Sequence, residues 1–135
     1  MSSFTLSELL HSDKAKGIGL PNFPSFEAVQ GLSALRINVL DVVRVKYGKP
    51  ITISSGYRCP DLNSAVGGQP DSQHVATALY AAADIDQGSK EENQIIFDLI
   101  KNFCHFDQLL WENHGAWVHV SYRADGHNRN QVLSI

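Results

Sequence analysis

The chain has 135 residues, 43% of them hydrophobic and 19% charged, which suits one folded core and excludes a disordered segment. Its formal net charge is −3 with no basic block, so nothing points to nucleic acid. No run of eighteen apolar residues is present, so no membrane span is expected, and the start lacks the basic-then-apolar pattern of a Sec signal. Synthesis in the cytoplasm is expected, with any action outside depending on release or phage delivery.

Residues 1–24 read as an N-terminal arm and loop. Thr5 and Glu8 have capping-box spacing ahead of one or two helical turns, and the segment from Gly17 to Pro24 is punctuated by Gly and Pro. Ser25 caps a long helix from Phe26 to Tyr47, with Val29, Leu32, Leu35, Val39 and Val42 as its apolar stripe; Gly48 stops it and Pro50 prevents a restart. A short β-branched strand follows at Ile51 to Ser54. Next comes a loop from Gly56 to Gly68 with one helical turn at Asp61 to Ala65, then a turn-rich connection to Asp71. The run Ala83-Asp-Ile-Asp86 reads as a strand end. Ser89 and Glu92 repeat the capping-box spacing before a helix that reaches about Asn102. Phe106 to Trp111 and Trp117 to Tyr122 form a β-hairpin around 113–116, and Gln131 to Ile135 adds a last strand. Cys59 and Cys104 lie far apart without a C-x-x-C pattern and are expected as free, partly buried thiols. Helices before and between hairpin strands predict an α+β fold with a mostly antiparallel sheet, in a single domain over 1–135.

The chemistry-bearing residues concentrate between Ser55 and Asp86 and in the strand around His119. In Trp117-Val-His-Val-Ser-Tyr122, Val118, Val120 and Tyr122 share one face, and Trp117, His119 and Ser121 the other. If the valines face the core, His119 stands on an open face of a rigid strand. With 113–116 as the turn, Glu112 pairs with Trp117 and Leu110 with His119. Glu112 is then diagonal to His119, roughly 7 Å away between Cβ atoms. Asp84 and Asp86 leave the same strand face; metal ligation or turn formation near Gly88 would each account for an acid in an apolar run. His74 can reach in from its loop. Two His and one Asp leave a tetrahedral zinc with an open position for water, and Arg58 nearby could hold a carboxylate through its planar guanidinium. His114, in the hairpin turn, could lie near the site mouth.

These motifs resemble the D-alanyl-D-alanine carboxypeptidase-like zinc metallopeptidases, a group related to the hedgehog signalling domain. The resemblance covers nearly the whole chain. It is carried by Phe4-Thr-Leu-Ser-Glu-Leu9, Ile53-Ser-Ser-Gly-Tyr-Arg-Cys-Pro-Asp-Leu-Asn-Ser-Ala-Val-Gly-Gly68, Ser72-Gln-His74, Ala82-Ala-Asp-Ile85, and Phe106-Asp-Gln-Leu-Leu110 with Trp117-Val-His-Val-Ser-Tyr122. The subgroup most resembled is small, often encoded by phages or prophages, and cuts bacterial cell-wall peptides. The resemblance implies Zn2+ on His74, Asp84 and His119. It implies Arg58 on a substrate carboxylate or the oxyanion, and Glu112 as general base and then acid. Ser72, Gln73, Tyr57 and Trp117 would line a site for a peptidoglycan peptide, in a monomer.

Two departures from the family pattern stand out. The pattern S-x-H-x-x-G-x-A-x-D places Asp seven positions after His, whereas Asp84 follows His74 by ten. Either three residues bulge out, or Asp86 substitutes. Carboxypeptidase members also carry the basic Glu three residues before the last His, a position held here by Ala116, so Glu112 must serve from seven residues earlier. The competing readings are a wall- or phage-structure-binding module with weakened chemistry, and a two-histidine-one-carboxylate iron oxygenase, for which no cosubstrate pattern is visible.

Overall fold

The computed structural model describes residues 4–135; Met1, Ser2 and Ser3 of the expected arm lie outside the described residues. The first helix, α1 (Leu6–Leu10), has the full capping box, with Thr5 accepting from the Glu8 backbone and the Glu8 carboxylate accepting from that of Thr5. A second short helix, α2 (Asp13–Gly17), forms where the sequence suggested only loop, because Ser12 caps it by accepting from Ala15 N–H. The arm is tied down by Asn22, whose amide donates to the carbonyls of Leu10 and Tyr57 and accepts from Cys59 N–H.

The long helix runs as expected from Phe26 to Tyr47, but in three parts: α3 (Phe26–Leu35), one wide π turn (Arg36–Leu40) and α4 (Asp41–Tyr47). Ser25 caps its start, and Gly48 ends it with φ 75°. Leu32, Leu35 and Val39 are fully buried, each contributing roughly 1.5–3 kcal/mol by leaving water. Beyond the wide turn the buried residue is Val43 rather than Val42, one position later, as an extra residue in a turn requires. At the other end Ala28 is buried and Val29 only half so.

Among the described residues five strands form one sheet in the order β1-β2-β4-β3-β5: β1 (Ile53–Ser55), β2 (Tyr80–Ile85), β3 (Gln108–Glu112), β4 (Trp117–Arg123) and β5 (Gln131–Ser134). All pairs are antiparallel except β3 with β5. The hairpin register is the one the sequence implied, Glu112 opposite Trp117 and Leu110 opposite His119. Val118, Val120, Leu109, Ala83 and Ile85 turn into the core beneath the long helix and α6 (Lys90–Phe103), leaving the opposite face for chemistry. Ser89 caps α6 by accepting from Glu92 N–H, but the reciprocal half of the expected box is missing. The Glu92 carboxylate instead accepts from the Tyr47 hydroxyl and pairs with Lys49. Both cysteines are free thiols, and burial pushes that of Cys104 up to about 11.

Candidate metal centre

Three elements deliver three side chains to one point. β2 supplies Asp84, its neighbour β4 supplies His119 at the register position directly opposite, and the loop before β2 supplies His74. His119 Nδ1 lies 3.0 Å from Asp84 Oδ1, and His74 Nε2 lies 3.3 Å from the same oxygen. The two imidazoles meet edge to face with centroids 5.0 Å apart. Among the described residues this is the group of His, Cys, Asp and Glu side chains able to hold a metal ion, with ligand atoms all within 4.8 Å.

The three extra residues between His74 and Asp84 are absorbed in a tight turn. Thr77 N–H donates to the Tyr80 carbonyl, and the Thr77 hydroxyl accepts from the N–H groups of Leu79 and Tyr80. The turn presses its backbone against α3 at Gly31, where a Cβ would fall 2.0 Å from the Thr77 oxygen. His74 is set by its own loop: the Ser72 hydroxyl accepts from His74 N–H and from Arg58 Nη2, and Arg58 N–H donates to the His74 carbonyl. Gly56, whose carbonyl faces the His74 ring, packs tightly against the end of α1, since a Cβ there would lie 2.3 Å from the Leu9 oxygen.

Both ring nitrogens of His74 face acceptors: Nδ1 the Gly56 carbonyl at 2.7 Å and Nε2 the Asp84 carboxylate. A neutral imidazole has one N–H, so Nε2 turns a lone pair toward a carboxylate unless a cation or a second proton lies between them. The backbone bond on Nδ1 fixes the tautomer that frees Nε2, the usual arrangement behind a metal-ligating His. Ligand bonds of ~2.0–2.2 Å in tetrahedral array separate neighbouring ligand atoms by roughly 3.3 Å, close to the spacings found. The donor set therefore fits a zinc-like cation. Burial would raise the Asp84 carboxyl, but the two imidazoles set against its Oδ1 outweigh this and hold it well below the usual carboxylate range.

A cleft of about 700 Å³ opens beside His119, lined by Arg58, Ser72, Gln73 and Leu110 among others. Burial lowers the Arg58 guanidinium from its ordinary value, while Asp84 and Glu112 pull it back. Arg58 Nε and Trp117 Nε1 are buried without a hydrogen-bond partner among the described residues. Glu112 stands on the His119 face, two pairs along the hairpin ladder.

Tyr57 is elsewhere. It is buried in the core with its hydroxyl directed to the Phe23 carbonyl, because alternation along the chain turns it toward the arm while Arg58 turns to the cleft. Asp86 is not with the cluster either: its carboxylate accepts from Gly88 N–H and Asn93 Nδ2, the turn-forming role. His114 lines a separate hollow at the start of α6. Sequence reading missed Asp107, buried on the cleft wall, whose partner Arg129 lies 22 residues away. An acid between Phe106 and Gln108 in a strand-like run was the available signal.

The family model for Peptidase M15 matches residues 2–121. The chain belongs to the Peptidase M15 family. M15 enzymes are typically zinc-dependent metallopeptidases, and in this M15 chain the His74, Asp84 and His119 group is the set that could carry the metal. No curated protein matches the chain. No helix among the described residues is long and apolar enough to cross a membrane.

Proposed function

We propose that this M15 chain, acting as one domain, is a zinc peptidase that hydrolyses a peptide bond in peptidoglycan peptides. The observation that carries the reading is the Asp84 carboxylate shared by two imidazoles, one of which has its outer nitrogen committed to a backbone carbonyl. His74, Asp84 and His119 hold the zinc, which supplies Lewis acidity to the scissile carbonyl and lowers the pKa of the nucleophilic water. Glu112 takes the proton of the nucleophile and passes it to the departing amine, from the strand face it shares with His119. Arg58, pinned through Ser72, binds a substrate carboxylate or the developing oxyanion; its unpaired Nε is a buried donor that such an acceptor would satisfy. The unpaired Trp117 Nε1 is a second donor for a substrate carbonyl. Gln73 lines the site next to these groups. Delivery to the wall by a phage or by cell lysis belongs to the same reading.

The alternative is a wall-binding relative with weakened chemistry, favoured by Ala116 standing where carboxypeptidase members carry their Glu. Incubation of zinc-loaded protein with purified sacculi separates the two. Release of new amino and carboxyl ends, abolished in Glu112→Gln, is expected for the peptidase. Sedimentation with sacculi without any new ends would favour the binding module.

A further inference from the structure

The far end of the cleft is built around a second buried carboxylate. Asp107 is 1% exposed, and both its oxygens are fully engaged. Oδ1 accepts from Arg129 N–H and Nε at 3.2 and 3.0 Å, and Oδ2 from Arg129 Nη2 and Gln73 Nε2, each at 2.7 Å. This grip uses two of the five guanidinium N–H groups of Arg129 and fixes the plane of the rest. The Arg129 side chain is 54% exposed and lines the cleft. Arg123, at the end of β4, lines it too, with Nη2 on Asp125 at 3.0 Å. Asp71 is the other carboxylate among the lining residues.

We propose that Arg129, oriented by Asp107, forms with Arg123 a carboxylate-binding subsite that selects acidic peptides. Asp107 N–H donates to the Ser121 carbonyl, so the subsite spans two to four residues of β4 beyond His119, about 7–13 Å at ~3.3 Å per residue. An extended peptide with its scissile bond at His119 brings there a carboxylate two to four residues from that bond. Arg129 and Arg123 lie beyond residue 121, where the family match ends, so the match does not assign them. The same carboxylate that orients Arg129 also holds Gln73, the neighbour of His74, so the two ends of the cleft share one rigid wall.

The subsite rests on the peptidase reading, and the experiment separates the two. Zinc-loaded protein is given a synthetic stem-type peptide with free carboxylates and its twin with those side carboxylates amidated. Hydrolysis and equilibrium binding by calorimetry are both followed. Wild type should bind the free-acid peptide about tenfold more tightly, and added salt should shrink the difference. Arg129→Gln should bring the preference to within about twofold. If neither peptide is cut, the peptidase reading fails, while the binding preference still decides the subsite. Equal binding of the two peptides by wild type, or an undiminished preference in Arg129→Gln, overturns it. Should Arg129→Gln alone not fold, the double variant Asp107→Asn with Arg129→Gln removes both charges of the buried pair and is read the same way.

Discussion

Two aspartates, Asp84 half-buried on β2 and Asp107 buried just before β3, are both held below the usual carboxylate range and built to opposite ends. Asp107 accepts four hydrogen bonds from Arg129 and Gln73 and has no unmet demand. Asp84 turns one oxygen toward two imidazoles, one of them already using its N–H on Gly56. A saturated carboxylate with its own cation fixes structure; one facing a ring lone pair is stable only with a proton or a metal between them. The contrast locates the chemistry without recourse to the size of any cavity.

Substitutions sharpen this difference in order of effect. His119→Ala should reduce hydrolysis by a factor on the order of 10⁴ and remove the zinc, because a ligand and its strand mount go together; activity assay and elemental analysis check both. Glu112→Gln should reduce kcat by about 10²–10³ with zinc retained, the signature of a lost proton carrier. Asp107→Ala should leave the zinc in place yet cost roughly 2–3 kcal/mol in urea unfolding, since it strips partners from Gln73 and Arg129. Loss of zinc in that variant would break the distinction between the two acids. Gly31→Ala should destabilise by about 2 kcal/mol, because the new methyl meets the turn that absorbs the longer His-to-Asp spacing.

The smallest effect is on acid stability. Hydrogen bonds from Arg129 lead the effects that lower the Asp107 carboxyl from 3.8 to about 2, against its burial. A depressed folded-state value gives stability that is present above about pH 4 and fades as pH falls toward 2. Acid unfolding of wild type should therefore show a loss of roughly 1–2 kcal/mol in this window that Asp107→Asn does not.

The hairpin was legible in the sequence because alternating valines and a four-residue turn leave one register that buries the valine face. That register alone puts Glu112 and His119 on one side. The convergence of His74 on Asp84 was readable as a pattern but not as geometry, since the fate of three extra residues depends on Gly31 in a distant helix. The choice between Asp84 and Asp86 turned on Asn93, which claims Asp86 for the turn before α6. The wide turn in the long helix shifts the stripe by one residue without any proline or glycine in its span to announce it. β2 begins at Tyr80, earlier than the acidic end suggested, because pairing with β4 overrides the weak strand preference of its alanines. The Asp107 and Arg129 pair joins residues with no local periodicity between them, so it emerges only from the fold.

The most direct test is the zinc content of purified protein after reconstitution, compared with Asp84→Ala. About one zinc per chain in wild type and none in the variant is the predicted result. Wild type that takes up no zinc, or an Asp84→Ala variant that holds it as tightly, would contradict the metal centre described for this chain.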